Sequence, residues 1–158
     1  LNEVGRVKLF QIEEPEGGPA DPDVPGAAIG IDASGAEVEI AMSVGGNAVL
    51  LPDREGFEQS LTVPHFDDGL AEWQTLFEGA RLRAERALAR PVTHAVIVLA
   101  RTTPNPAATA RITEAAEQAG LRVLSLPAVT DLAAGTVPAR AAAILAEDLA
   151  PRPEEGPL

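Results

Sequence analysis

The chain has 158 residues, enough for one domain of ordinary size whose core needs no disulfide or metal, and too few for two. Its 24 acidic against 12 basic side chains give a formal net charge of −12, which disfavours nucleic acid phosphates and anionic membrane as partners. Cysteine is absent, so a disulfide framework, a thiol nucleophile and thiolate metal ligation are excluded, and the usage fits a reducing cytoplasm, the expected compartment.

Residues Val7 to Ile12 are apolar-rich and are expected to form an extra edge strand. The Pro-, Gly- and acid-rich stretch from Glu13 to Pro25 reads as a linker, so residues 1–26 form a strand-plus-linker segment, residues 27–150 the domain and residues 151–158 a flexible tail. The first residue is Leu1 rather than Met, which is read as a processed or trimmed N-terminus. No apolar run approaches the roughly 20 residues needed to span a bilayer, and no basic-then-apolar signal pattern opens the chain.

Ala27 to Asp32 is a compact apolar run suited to a buried strand. Val38, Ile40, Met42 and Val44 then alternate with Glu37, Glu39, Ala41 and Ser43, and Gly45-Gly46-Asn47 supplies a tight turn into Ala48 to Leu51, giving three successive antiparallel strands. Asp68 is placed to cap a helix from about Leu70 to Ala89, in which Trp73, Leu76, Phe77, Ala80 and Ala84 recur at helical spacing and read as core. Arg81, Arg83, Arg86 and Arg90 on the same helix read as a solvated face, with a site for an acidic partner as the alternative. His94 to Leu99 is a continuous apolar strand; Asn105-Pro106 begins a second helix that Gly120 ends; Leu121 to Leu126 is the next strand. A last helix, in one or two pieces, falls within Val129 to Leu149, with Pro138 opening its longer part. The order predicts an α/β, ribonuclease-H-like mixed five-stranded sheet with helices on both faces. Its first, fourth and fifth strands should be parallel and its second and third an antiparallel flank.

Pro91-Val92-Thr93-His94-Ala95-Val96-Ile97-Val98 resembles the strand of DnaK-type heat-shock chaperone ATPases usually written Pro-Val-Thr-Lys-Ala-Val-Ile-Thr, with His94 in place of a surface lysine. Ala115-Ala116-Glu117-Gln118-Ala119-Gly120-Leu121-Arg122-Val123-Leu124, Leu132-Ala133-Ala134-Gly135, the opening Ile29-Gly30-Ile31-Asp32 and Glu58-Gln59-Ser60-Leu61-Thr62-Val63 are similar to further segments of that family in the correct order, over about residues 27 to 136. The resemblance implies the first half of one lobe of an actin-like ATPase. By the same comparison Asp32, Ser34 and Gly35 stand at a vestigial phosphate loop, with Asp32 at the metal-facing position. A turn aspartate capping the hairpin is the other reading of Asp32.

The departures from the family carry the functional expectation. Ala33-Ser34-Gly35-Ala36 replaces the Gly-Thr-Thr whose amides and hydroxyls wrap phosphates, and the subdomain with the phosphate lysine, the water-positioning glutamate and the second lobe are lacking. No catalytic residue is assigned. A metal nuclease needs converging carboxylates, yet Ala100 and Arg101 follow the fourth strand and Asp131 is a poor substitute. His65 and His94 have no Cys or second His nearby for zinc, and Ser34 has no His-Asp pair. The expected function is that of a protein-interaction or scaffold domain without independent ATP hydrolysis. Its partner is a protein of unknown identity, homo-oligomerisation is open to it, and any ATP–magnesium binding should be weak. The alternative is a nucleotide-binding domain that completes its site with a partner or second copy.

Overall fold

A computed structural model describes residues 26–51 and 61–151. The strand and linker read before Gly26, the segment Glu58-Gln59-Ser60 and the tail beyond Pro151 lie outside the described residues. The chain runs β1 (Ala27–Ala33), β2 (Glu39–Val44), β3 (Asn47–Leu50), α1 (Leu70–Leu88), β4 (Val92–Leu99), α2 (Pro106–Gln118), β5 (Arg122–Ser125), a 3₁₀ turn over Val129–Asp131, and α3 (Pro138–Leu149). Strand order is β3-β2-β1-β4-β5. β1 pairs antiparallel with β2 and parallel with β4, β2 pairs antiparallel with β3, and β4 pairs parallel with β5. This is the ribonuclease-H-like mixed sheet that the order of elements predicts. Among the described residues no helix is long and apolar enough to cross a membrane.

Local chemistry explains most boundaries. The two-residue β2–β3 loop holds Gly45 at φ 61° and Gly46 at φ 86°, the pair of positive φ values that a type I′ hairpin turn requires. Both loop amides donate to the carboxylate of Glu147 on α3, at 2.6 and 3.0 Å, and Ser43 Oγ donates to it at 2.8 Å, so the hairpin is clamped to the helix. Asn105 caps α2 by accepting from Ala108 N at 2.8 Å, with Pro106 in the first turn. At its other end Leu121 N donates to Ala116 O and Gly120 N to Glu117 O, the two bonds of a Schellman stop. Asp68 does not cap α1 as the sequence predicts. Gly69 is the N-cap residue, without a side-chain bond, and Asp68 Oδ2 accepts from His65 N at 2.8 Å because the 65–68 turn competes for the carboxylate.

β4 is buried along its whole length because helices cover both faces of the sheet. On one face Ile29, Ile31, Ile97 and Leu99 meet Trp73 and Phe77 of α1 and Ile112 of α2; each such aliphatic side chain is worth about 1.5–3 kcal/mol of burial. On the other, Val96 and Val98 meet Ala142 and Ala146 of α3, while Ala41 meets Ala139 and Ala143. A Cβ on Gly30 would stand 2.3 Å from Ala143 N, so the absence of a side chain there is what lets α3 lie on β1.

Three further positions depart from expectation. Arg81 and Arg83 are buried rather than solvated, Arg81 because α2 packs against that side of α1. Arg81 Nε donates to Ala119 O at 2.7 Å and its Nη1 to Glu85 at 3.0 Å, which joins α1 to the carboxyl end of α2. His94 is 2% exposed instead of standing at a surface lysine's place, because β4 is central. It shares a 2.8 Å hydrogen bond with Thr93 Oγ1, which also accepts from Gly26 N, and burial followed by the nearby Arg122 charge lowers its pKa below the ordinary 6.5.

Candidate functional site

β1 and β4 lie side by side and parallel, but the chain leaves β1 toward β2 on one side and leaves β4 through α2 toward β5 on the other. Such a reversal opens a crevice beyond the carboxyl ends of the strands, the place where open α/β sheets take ligands. Here it is a cleft of about 920 Å³, bounded by Ala33 at the end of β1 and Ser34–Ala36 after it, by Thr62–Asp67, by Ala100 and Arg101 after β4, and by the start of α2. A bridge between Glu37 and Thr62, with Val63 N donating to Ala36 O at 3.0 Å, holds the first two walls together.

Three residues singled out in the sequence meet at the end of β1, but not as a phosphate loop would arrange them. Asp32 Oδ1 accepts from Ser34 N at 2.9 Å and from Ser34 Oγ at 2.5 Å, closing an Asx turn. Ser34 therefore directs both its donors back at Asp32. Ser34 and Gly35 line the cleft, whereas Asp32, 9% exposed, does not. A Cβ on Gly35 would meet nothing nearer than Glu37 O at 4.0 Å, so no close approach requires glycine there. Among the described residues no group of three or more His, Cys, Asp or Glu is disposed to hold a metal ion. Asp131, the weak second acid, accepts from Ala128 N at 2.9 Å and caps the 3₁₀ turn. Asp32 Oδ1 and both Ser34 donors are thus engaged with one another within the loop.

What the cleft gathers instead is positive charge. The Arg101 guanidinium lies 4.7 Å above the centroid of the Phe66 ring, and Arg111 Nη1 donates to Phe66 O at 2.8 Å. Neither has a carboxylate partner among the described residues. Phe66 is itself stacked on Trp73, with centroids 6.4 Å apart, and Trp73 Nε1 donates to His65 O at 3.1 Å, so an aromatic wall backed by α1 fixes both cations. The sequence offers Arg101 only as a residue standing where an acid would serve a metal, and gives no local signal for Phe66 or Arg111. Their meeting is a tertiary fact, since 45 positions separate Arg111 from Phe66.

No protein-family model matches the chain, and no curated protein matches it.

Proposed function

We propose that the chain is a degenerate half-lobe similar to the DnaK-type, actin-like ATPases, and that it serves as a protein-interaction domain without hydrolysing ATP on its own. The observation that carries the reading is the turn of Ser34 onto Asp32, which spends the amide and hydroxyl that a phosphate loop must offer outward. A protein partner is supported by the flank of the sheet. Among the described residues β3 is an edge strand, its residues Asn47-Ala48-Val49-Leu50 carry no charge, and Val44 and Val49, 67% and 57% exposed, are diagonal neighbours on one face of the hairpin. An uncharged edge with exposed β-branched side chains is a surface on which another chain can pair.

The test is magnesium-dependent ATP hydrolysis by the purified chain, together with ATP titration of the parent and of Asp32→Asn. Hydrolysis should not exceed the blank, since loss of even one transition-state donor costs about 3–4 kcal/mol and several are lacking. Asp32→Asn should leave stability nearly unchanged, because the amide Oδ1 still accepts both Ser34 donors. Any ATP binding should be weaker than about millimolar, worth some 4 kcal/mol. Micromolar ATP affinity that disappears in Asp32→Asn would refute the proposal and establish a working metal–phosphate site.

A further inference from the structure

We infer that the cleft at the carboxyl ends of β1 and β4 binds an acidic peptide segment of the partner, with its carboxylates on Arg101 and Arg111; this deepens the interaction-domain reading and rests on it. The inference begins with sign. In a chain of net charge −12, two guanidinium groups without carboxylate partners among the described residues converge on one residue, Phe66, at the wall of the same cleft. An acidic protein does not lack carboxylates to pair them with, and although Asp67 lines the same cleft, neither guanidinium is ion-paired with a described carboxylate, which keeps two cations available to an incoming anion.

The two groups are also held in place. Arg101 rests on an aromatic face and Arg111 is tied to a backbone carbonyl, so little side-chain freedom remains to be lost when their remaining N–H groups take a carboxylate. A planar fork of donors matches a carboxylate bidentately.

Other lining groups choose among anions. Asp67 shares the cleft with the two arginines, and it would repel a polyphosphate, which has acceptors only. A peptide brings N–H donors that Asp67 can accept as well as carboxylates for the arginines. Pro64, Phe66 and Pro104 offer apolar surface for the methylene groups of a glutamate side chain. The Ser34 donors, which would favour phosphate if they faced outward, are spent on Asp32. A volume of about 920 Å³ accommodates several residues of extended chain and exceeds the needs of a lone dicarboxylate.

Trp73 is the single tryptophan of the sequence and lines this cleft, so its fluorescence reports binding without a label. The full chain is titrated with a short peptide alternating glutamate and alanine, with the same peptide carrying glutamine for glutamate, with inorganic phosphate and with ATP. The glutamate peptide should give a saturable change that the glutamine peptide does not, weakened about tenfold in Arg101→Glu and in Arg111→Gln, and weakened by salt. Arg101 is exposed, so Arg101→Glu keeps the test decisive if Arg111→Gln loosens the Phe66 loop. The inference is overturned if the glutamate peptide fails to saturate by millimolar concentration, if the glutamine peptide binds equally, if Arg101→Glu binds unchanged, or if phosphate or ATP binds more tightly with the same arginine dependence. Failure here with no ATP hydrolysis would leave the interaction-domain reading standing, whereas ATP turnover would remove that reading whatever the peptide does.

Discussion

Gly30→Ala is the smallest substitution that probes the seating of α3. The added Cβ would lie 2.3 Å from Ala143 N, 2.7 Å from Ala139 O and 2.7 Å from Ala142 C, all backbone atoms that no rotamer change can move. Ordinary contact begins near 3.4 Å, so the helix must retreat by about 1 Å or β1 must bend. Retreat loosens the alanine contacts of Ala139, Ala142, Ala143 and Ala146 and draws the Glu147 carboxylate away from Ser43 and the hairpin amides. Overpacking costs about 1–3 kcal/mol, and the backbone location places this case at the upper end. Glycine in a strand is otherwise worse than alanine by roughly 0.5–1 kcal/mol, so a residue that merely tolerated glycine would gain from the change. A net loss of about 3 kcal/mol corresponds to a melting temperature lower by roughly 6–12 °C for a chain of this length. Thermal melts followed by circular dichroism and Trp73 fluorescence decide it; an unchanged or raised melting temperature would refute the close approach of α3 to β1.

The remaining predictions concern one backbone and one titrating group. Ala89 ends α1 in the left-handed region at φ 58°, ψ 38°, with its N–H on Glu85 O at 2.7 Å, so Ala89→Gly should relieve about 1 kcal/mol and raise the melting temperature by roughly 2–4 °C. A lower melting temperature would contradict the strained cap. The pKa of buried His94 is lowered in the fold, first by burial and then by Arg122, so as pH falls through the ordinary 6.5 the unfolded chain takes up the proton first. Its contribution is fully present above that pH and is lost as pH falls toward the folded pKa, with a slope of at most about 1.4 kcal/mol per pH unit. Urea unfolding of the parent between about pH 7.5 and 5.5 should show this extra slope, and His94→Gln should lack it; equal slopes would mean that the ring is not held neutral.

The parts of the fold legible in the sequence are those fixed by short-range chemistry. The His94–Leu99 run within β4, the Asn105-Pro106 start and Gly120 stop of α2, and the glycine turn after Val44 each carry their own physical signature. What the sequence hides depends on which face another element covers. Alternation in β2 sets Ile40 and Met42 against Ala41 and Ser43 as inside against outside, yet Ala41 and Ser43 are buried too, because α3 lies over that face. The arginines of α1 look like a solvent face for the same reason; only the neighbouring helix reveals that Arg81 reaches Ala119 O. At the candidate site, Ser34 and its aspartate are two positions apart in sequence and legible as a turn. The cleft cations belong to a strand end and a helix whose encounter with Phe66 no local pattern encodes.

The electrostatic contrast at the head of the sheet bears on which ligands such a sheet can take. A site that works through a divalent cation must converge acidic oxygens on the ion, and the cation then neutralises phosphate. In this chain the strand-ending acid is turned into its own loop, and the two groups that converge across the cleft are guanidinium ions. The scaffold beneath is indifferent to that exchange. The central strands are held by Ile29, Ile31, Ile97 and the helices above and below them, none of which depends on what their carboxyl ends carry. A ligand bearing its own carboxylates needs no metal to meet these arginines, and the placement of Phe66 beneath one and against the other fixes the spacing that such a ligand must match.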